Sequence, residues 1–375
     1  MLFYREVKTP AVLWIPAKAD KTKMRKIKTG QKLPATILAL FLSCFVATQN
    51  AGAQTTGDEY VWRIISTATQ ELEKGNYQRG FDLCNTMIEL GTEDVILLSS
   101  AYYLRGYVYM SRRQLPEALD DMLLSITLFH NNAPSHELLA EVYQKMGRHR
   151  ESLQAINTAI ELDSTDLSYY VSRATVYMRL MELEKALDDV NRVLSSDPLN
   201  ADVLSLKAAI YVKAENLSEA LSCMSQAINI DPTSSRFWSE RGMINENAGN
   251  RDEAFSDFSR AIELDTRNSE VYLHRGLMNQ STGNNGEALN DFNKALELAP
   301  DNYEIYWNRG YLNSQMGNLR DSIDDIVNYA RLSGDEEFLG EMQELEKRYS
   351  RDIQLLRLLE MLQKTADNGS KEGQE

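Results

Sequence analysis

Few residues in this chain have the types and spacing that metal binding or catalysis requires. The histidines are too few and too poorly spaced to suggest a metal site; they are His130, His136, His149 and His274. Residues 283–286 (Gly-Asn-Asn-Gly) resemble part of a phosphate-binding loop, but they lack its lysine and follow a predicted helix rather than a strand. We expect no metal, cofactor or nucleotide at these places.

Nucleophiles and paired carboxylates give no better indication of chemistry. The three cysteines form no disulfide framework. Cys84 and Cys223 fall at apolar helical positions, so we expect two buried thiols. The abundant Asp and Glu residues recur with the repeat described below, which indicates bridging or solvated helix faces. We predict that the chain is not an enzyme.

The charge of the chain restricts its partners. Of 40 basic and 55 acidic residues, nine basic and two acidic residues lie within residues 1–53. The remainder therefore carries 31 basic and 53 acidic residues. Such an acidic surface repels phosphate backbones, so we expect a protein or peptide partner and no nucleic acid.

Residues 24–53 have the three parts of a secretory signal. A basic stretch begins at Met24, an apolar core follows over residues 36–47, and Ala51-Gly52-Ala53 forms a small-x-small cleavage site. The apolar core of about 12 residues is too short to span a bilayer, which needs roughly 20. We expect a chain exported to the periplasm and beginning at Gln54 after cleavage.

Two alternatives concern this N-terminal region. Residues 1–23 precede the basic stretch and are interpreted as a mis-called start or an extended basic region, with Met24 as the other candidate start. Residues 41–44 loosely resemble a lipoprotein box, which would make Cys44 the lipidated end of an outer-membrane lipoprotein. Residues 54–60 are predicted to be a short linker.

The strongest feature of the sequence is an internal repeat. Seven consecutive segments of 34 residues align without a gap; they begin at Ser99, Ala133, Leu167, Ala201, Ser235, Ser269 and Tyr303. The eighth place is always small: Gly106, Ala140, Ala174, Ala208, Gly242, Gly276 and Gly310. A weaker repeat covers residues 61–94, and four residues separate it from the others. The period predicts an array of helix pairs over residues 61–334.

Other places in the repeat support packed helix pairs. The fourth is aromatic except at His136 and Leu204. The twentieth is small: Ala118, Ser152, Ala186, Ala220, Ala254, Ala288 and Ser322. The twenty-fourth is large and apolar: Met122, Ile156, Val190, Met224, Phe258, Phe292 and Ile326. Small residues let two helices approach, and a large residue one turn later fills the space between them.

This pattern resembles the tetratricopeptide repeat family. The residues that carry the resemblance are Trp238, Gly242, Ala254 and Phe258, and again Tyr272, Gly276, Ala288, Phe292, Ala295 and Pro300. The resemblance implies an all-α fold: a right-handed superhelical solenoid of about eight helix-turn-helix repeats with a concave groove. Beyond Gly334 the pattern stops. Apolar stripes predict capping helices over residues 335–364, followed by a disordered tail over residues 365–375.

Arginine at the seventh place and aspartate at the twenty-third occur in the same five repeats. We hypothesise that each pair joins the two helices of its repeat, the alternative being a coincidence of solvated charges. The pairs are Arg105/Asp121, Arg173/Asp189, Arg241/Asp257, Arg275/Asp291 and Arg309/Asp325.

The eleventh place divides the repeats into two groups. It is Tyr109, Tyr143, Tyr177 or Tyr211 in the first four and Asn245, Asn279 or Asn313 in the last three. The asparagines could form a ligand-binding ladder or a packing variant, and packing is the favoured interpretation.

The resemblance also implies where a partner binds, because first helices line the groove in that family. The corresponding candidates here are Tyr103, Tyr107, Glu141, Arg179, Glu246, His274, Trp307, Asn308 and Tyr311. Tyr103, Tyr107, Trp307 and Tyr311 would be the anchors, since exposed aromatic rings bury much area at small entropic cost. The alternative is that these rings pack against neighbouring helices.

These features predict a non-catalytic scaffold of the cell envelope that binds a peptide or a partner helix in its groove. The alternative is a fixed structural or lipoprotein subunit of an envelope complex that docks through the C-terminal helices. Neither the partner nor the oligomeric state follows from the sequence.

Overall fold

A computed structural model describes residues 56–334, 336 and 339–351 of the chain. The predicted signal segment, the possible early start, Cys44 and the tail lie outside the described residues. Within the described part there are helices and turns and no strand. The helices are α1 (Thr56–Glu73), α2 (Tyr77–Leu90), α3 (Val95–Ser111), α4 (Leu115–Leu128), α5 (Ala133–Lys145), α6 (His149–Leu162), α7 (Ser168–Arg179), α8 (Leu183–Ser196), α9 (Ala201–Lys213), α10 (Leu217–Ile230), α11 (Ser235–Ala248), α12 (Arg251–Leu264), α13 (Ser269–Ser281), α14 (Asn285–Leu298), α15 (Tyr303–Gln315) and α16 (Leu319–Ser333).

The chain divides into two compact units, Met1–Met146 and Gly147–Glu375. The described part of the first unit contains α1 to α5, and that of the second contains α6 to α16. In each unit every helix packs against the next along the chain, and the first helices of most consecutive repeats also touch. The fold is therefore an α-solenoid of helix pairs, as the repeat predicts.

The small and large places of the repeat meet where two helices cross. A methyl group added to Gly276 would lie 2.7 Å from Phe292, and one added to Gly242 would lie at the same distance from Phe258. Both phenylalanine side chains are fully buried. Gly and Phe thus occupy equivalent close contacts 34 residues apart, which is the packing predicted from their spacing.

The turn between the two helices of a pair places one residue in the left-handed region, at the fifteenth place of the repeat. Gly249 has φ +80° there, and its N–H caps α11 by bonding to carbonyl oxygens of the last turn. Three repeats keep the same conformation without glycine, because Arg113, Met181 and Glu215 have φ between 57° and 61°. The backbone geometry of the turn is therefore retained where the sequence does not favour it.

The N-terminal end of the predicted array differs from its sequence-based boundary. Helix α1 begins at Thr56, so most of the predicted linker 54–60 is helical. No proline interrupts this segment, and Ile65, Ala68 and Leu72 bury one face of the same helix.

Beyond Gly334, residues 339–351 are helical. Leu345 belongs to the predicted apolar stripe and is 45% exposed. At this residue the stripe is therefore not buried against the repeats. Capping by residues 335–364 stays a prediction. None of the helices in the described residues combines the length and the apolar character that a membrane span requires.

Candidate functional site

The five Arg–Asp pairs have the same bidentate geometry. Arg275 donates from Nε and Nη2 to the two carboxylate oxygens of Asp291, at 3.0 and 2.7 Å. In all five pairs the Nη2–Oδ1 distance is 2.6–2.7 Å. The aspartates are buried and the arginines are partly buried. Each pair therefore joins the first and second helix of one repeat.

An aromatic ring at the fourth place completes each of these pairs. The guanidinium carbon lies 4.9–5.9 Å from the centroid of Tyr102, Tyr170, Trp238, Tyr272 or Tyr306. Cation–π contact over the ring leaves the edge of the guanidinium free for aspartate. The two repeats without an aromatic residue at this place, those of His136 and Leu204, are also the two without arginine. This co-occurrence was a readable signal that the sequence analysis missed.

The eleventh place supports the pair in one of two ways. Where it is asparagine, the side-chain amide donates to the aspartate, as from Asn279 Nδ2 to Asp291 Oδ2 at 3.0 Å. Asn245 and Asn313 do the same in their repeats. Where it is tyrosine, Tyr109 and Tyr177 lie beside the guanidinium of Arg105 and Arg173. The three asparagines are buried, so packing and not a ligand ladder accounts for them.

Most of these arginines also reach back to the preceding repeat. Arg173 Nη1 donates to Asn157 Oδ1 at 3.0 Å, and Arg309 Nη1 donates to Asn293 Oδ1 at 2.6 Å. Arg105 and Arg241 make equivalent bonds to Asn85 and Ser225. One arginine thereby links three helices from two repeats, and the sequence hypothesis had included only two of them.

The same contacts keep the guanidinium groups of Arg275 and Arg173 charged. The hydrogen bonds that Arg275 donates to Asp291 raise the pKa of Arg275, and those that Arg173 donates to Asp189 raise the pKa of Arg173, in each case against the opposing effect of burial. A guanidinium held in this way cannot act as an acid or base at neutral pH. These clusters are structural.

The predicted aromatic anchors of the first unit are not on the surface. Tyr103 and Tyr107 are 3% and 4% exposed, so the interpretation of them as exposed binding anchors is wrong. Burial raises the pKa of Tyr107, with contributions from neighbouring Tyr77 and Glu141. Those two residues lie on α2 and α5, on either side of α3. The rings of α3 therefore fill the space between neighbouring helices, which was the alternative interpretation.

The remaining first-helix candidates are more accessible, but several already have partners. Glu141 lies 3.3 Å from Lys145 in the first unit. In the second unit Arg179 is exposed, and His274 Nδ1 lies 2.9 Å from Glu246 Oε2. The His274 ring also stacks on Phe258, with centroids 5.5 Å apart. Glu246 and His274 thus connect consecutive first helices.

An exposed aromatic stripe lies on α15, the first helix of the last repeat. Tyr303, Trp307 and Tyr311 are 47%, 46% and 51% exposed, and their spacing of four places them on one face. Tyr329 of α16 supports the stripe, at 5.0 Å between ring centroids from Trp307 and 5.8 Å from Tyr303. Asn308, another candidate on α15, is half-buried, and its amide donates to the backbone oxygen of Glu304.

Trp307 and Tyr311 were predicted from the sequence, whereas Tyr303 and Tyr329 were not. Tyr303 occupies a first place that is Ser, Ala or Leu in the other repeats. That departure from the internal alignment was the signal that could have identified it. Tyr329 lies on a second helix, outside the family's groove places.

No other arrangement in the described part of the chain suggests catalysis or a bound ion. No group of three or more His, Cys, Asp or Glu residues there could hold a metal ion. Cys84 and Cys223 are buried free thiols, as expected, and burial raises the pKa of the Cys84 thiol to about 12.

Comparisons with known proteins identify the class of this fold. A family profile described as "Tetratricopeptide repeat" matches residues 133–166, 201–234 and 235–268, and one described as "TPR repeat" matches residues 280–317. The first three matches begin at Ala133, Ala201 and Ser235, where the internal alignment places its own boundaries. The comparison with curated proteins found no match.

Solved structures support the same fold. A tetratricopeptide repeat protein from Parabacteroides merdae is 19% identical, with a TM-score of 0.50 over 66% of this chain and 98% of that one. A chain of the Cut9–Hcn1 hetero-tetramer of the APC/C is 15% identical, with a TM-score of 0.52 over 72% of this chain and 52% of that one. The architecture is an α-solenoid. This chain is a tetratricopeptide repeat protein.

Proposed function

We propose that this protein is a non-catalytic scaffold of the cell envelope that binds a peptide or partner helix on the first-helix face of its second unit. Tetratricopeptide repeat solenoids in general serve protein–protein interaction. The more specific part of the proposal is the place of binding, which is centred on α15.

One observation carries this choice of place. Trp307, at the fifth place of its repeat, is 46% exposed, whereas Ser205, Ser239 and Leu273, its equivalents in the three preceding repeats, are buried. In one of those repeats the next first helix contacts the fifth place, because Ser205 donates a hydrogen bond to Glu240. Large aromatic side chains that are exposed make the contacts that most often dominate binding energy.

The proposed envelope location is supported by the sequence of residues 24–53 alone. A basic stretch, a short apolar core and Ala51-Gly52-Ala53 together favour export and cleavage before Gln54. Mass spectrometry of the N-terminal peptide from the cell envelope tests this. A peptide beginning at Gln54 supports export to the periplasm. A lipidated Cys44 would identify a lipoprotein, and an intact residue 24–53 segment in the cytoplasm would overturn the location.

Affinity purification of the full chain from the envelope fraction tests the function. The wild-type chain is compared with Trp307→Ala/Tyr311→Ala and with Phe255→Ala, which removes an exposed ring from the second helix α12. A partner lost with the double variant and retained with Phe255→Ala supports the proposal. Recovery of every partner with both variants would remove α15 as the binding place.

A second candidate is a fixed subunit of an envelope complex that docks through its C-terminal helices. The exposed Leu345 on the helix over residues 339–351 favours it. Crosslinking on intact cells distinguishes the two, because a stoichiometric neighbour attached near Leu345 and insensitive to Trp307→Ala indicates the subunit.

A further inference from the structure

We propose that the partner of the α15 face is a basic segment with an apolar anchor, the anchor lying on Trp307 and Tyr311 and the basic side chains beside Glu270 and Glu304. This rests on the proposed function and adds the chemistry of the partner.

The apolar half of the proposal follows from the aromatic stripe. Tyr303, Trp307 and Tyr311 extend over two turns of α15. The ring of Tyr329 packs against those of Tyr303 and Trp307. Half-exposed rings that are already ordered by a neighbouring ring lose little further entropy on binding. An aliphatic or aromatic side chain of a partner would bury them.

The basic half follows from which charges on these helices are already paired. Every arginine on α11, α13 and α15 is bound to a carboxylate: Arg236 to Asp202 and Glu240, Arg241 to Asp257, Arg275 to Asp291, and Arg309 to Asp325. Glu270 and Glu304 are exposed and have no cationic partner among the described residues. The unpaired charge of this face is therefore negative.

The register of the repeats places these two glutamates together. Both occupy the second place, and Arg236 at the second place bonds to Asp202 at the second place of the preceding repeat. We infer from this register that Glu270 and Glu304 lie on the same side of consecutive first helices, and neither repeat has an arginine at its second place. Glu304 also precedes Trp307 by three residues and shares its face of α15.

Two like charges beside an exposed apolar stripe favour a partner that brings positive charge and apolar surface at once. Such complementarity raises the association rate and excludes acidic partners, and it weakens with salt. An acidic segment would place like charges against Glu270 and Glu304. The observations therefore favour a basic segment with an apolar anchor.

Fluorescence anisotropy with labelled synthetic peptides tests the proposal on the full chain. Three probes are used: a peptide of Lys and Leu, its counterpart with Glu in place of Lys, and its counterpart with Ser in place of Leu. We expect the Lys/Leu peptide alone to bind well, with an affinity that falls as salt is added. Trp307→Ala should weaken it by about tenfold or more.

Charge variants isolate the electrostatic part. Glu270→Gln/Glu304→Gln should weaken the Lys/Leu peptide by about threefold to tenfold and flatten its salt dependence. The matched control, Glu219→Gln/Glu253→Gln, removes two exposed acids from the second helices α10 and α12 and should change neither. Equal binding of the Glu/Leu peptide, or full salt-dependent binding by Glu270→Gln/Glu304→Gln, would overturn the proposal.

The other outcomes separate this inference from the proposed function. If Trp307→Ala weakens the Lys/Leu and Glu/Leu peptides equally, the charge preference is wrong and the binding face stands. A self-associating chain that Trp307→Ala converts to monomer would identify a second copy as the occupant. Leu356 and Leu359 belong to an apolar stripe predicted within residues 335–364. Binding that appears only after Leu356→Glu/Leu359→Glu would identify the chain's own C-terminal residues as the occupant. If no probe binds and Trp307→Ala/Tyr311→Ala still recovers every native partner, the proposed function fails as well.

Discussion

The guanidinium of Arg275 and the carboxylate of Asp291, 16 residues apart in sequence, meet edge to edge through two hydrogen bonds of 3.0 and 2.7 Å. The ring of Tyr272 lies against the same guanidinium and Asn279 donates to the same carboxylate. The interaction therefore closes the helix pair of its repeat and belongs to a four-residue cluster.

We expect a strong energetic coupling between Arg275 and Asp291. Replacing either residue by alanine leaves the other charge without its partner, so each single change should cost more than the ~0–1 kcal/mol of a surface pair and approach the ~3–5 kcal/mol of a buried one. Urea unfolding of the wild type, Arg275→Ala, Asp291→Ala and the double variant measures it. Additive losses, with no coupling energy, would contradict the pairing.

Met181→Gly should stabilise the protein. Met181 has φ +61° and is 61% exposed, so glycine relieves a left-handed conformation and loses little buried area. Relief of the left-handed conformation should contribute about 1 kcal/mol. The greater freedom of glycine in the unfolded chain offsets part of this gain. Thermal unfolding measures it, and the opposite change, Gly249→Met at the equivalent place, should destabilise. A loss of stability in Met181→Gly would contradict the assignment of strain to this turn.

Gly276→Ala should destabilise although it adds only a methyl group. The new atom would lie 2.7 Å from the Phe292 ring, so the helix crossing must open, at a cost of about 1–3 kcal/mol. Gly286→Ala is the matched control, because nothing lies within 4 Å of a methyl group at that position. Equal melting temperatures for the two variants would count against the close crossing of α13 and α14.

Cys84 and Cys223 should be unreactive in the folded protein. Burial raises the pKa of both thiols, that of Cys84 to about 12, so the thiolate that attacks a disulfide reagent is scarce at neutral pH. Labelling with a chromogenic disulfide should be slow in buffer and complete in denaturant. Fast labelling of a folded chain that begins at Gln54 would contradict the burial of these residues.

The sequence predicted the repeat well because the chain contains its own alignment. Any place that recurs seven times can be read without relatives, and the crossing of Gly276 with Phe292 and the pairing of Arg275 with Asp291 were both recovered in this way. Each depends only on neighbours within one repeat, whose geometry the period determines.

The sequence predicted the surface less well because exposure depends on the next repeat. Tyr103 and Trp307 both occupy the fifth place, yet the first is buried and the second is half-exposed. The difference comes from what packs on each, and no repeat beyond α16 is present among the described residues. The place of a residue within its repeat therefore predicts which face of the helix it lies on. The position of the repeat along the array decides whether that face is exposed.

Photo-crosslinking from Tyr311 tests the central claim most directly. A photoreactive phenylalanine is placed at position 311 or, as a control, at position 255; the residues replaced are 51% and 40% exposed, on α15 and α12. After irradiation of intact cells, binding by the α15 face predicts a discrete adduct with another protein from position 311 and none from position 255. The same adducts from both positions, or no adduct from position 311, would contradict it.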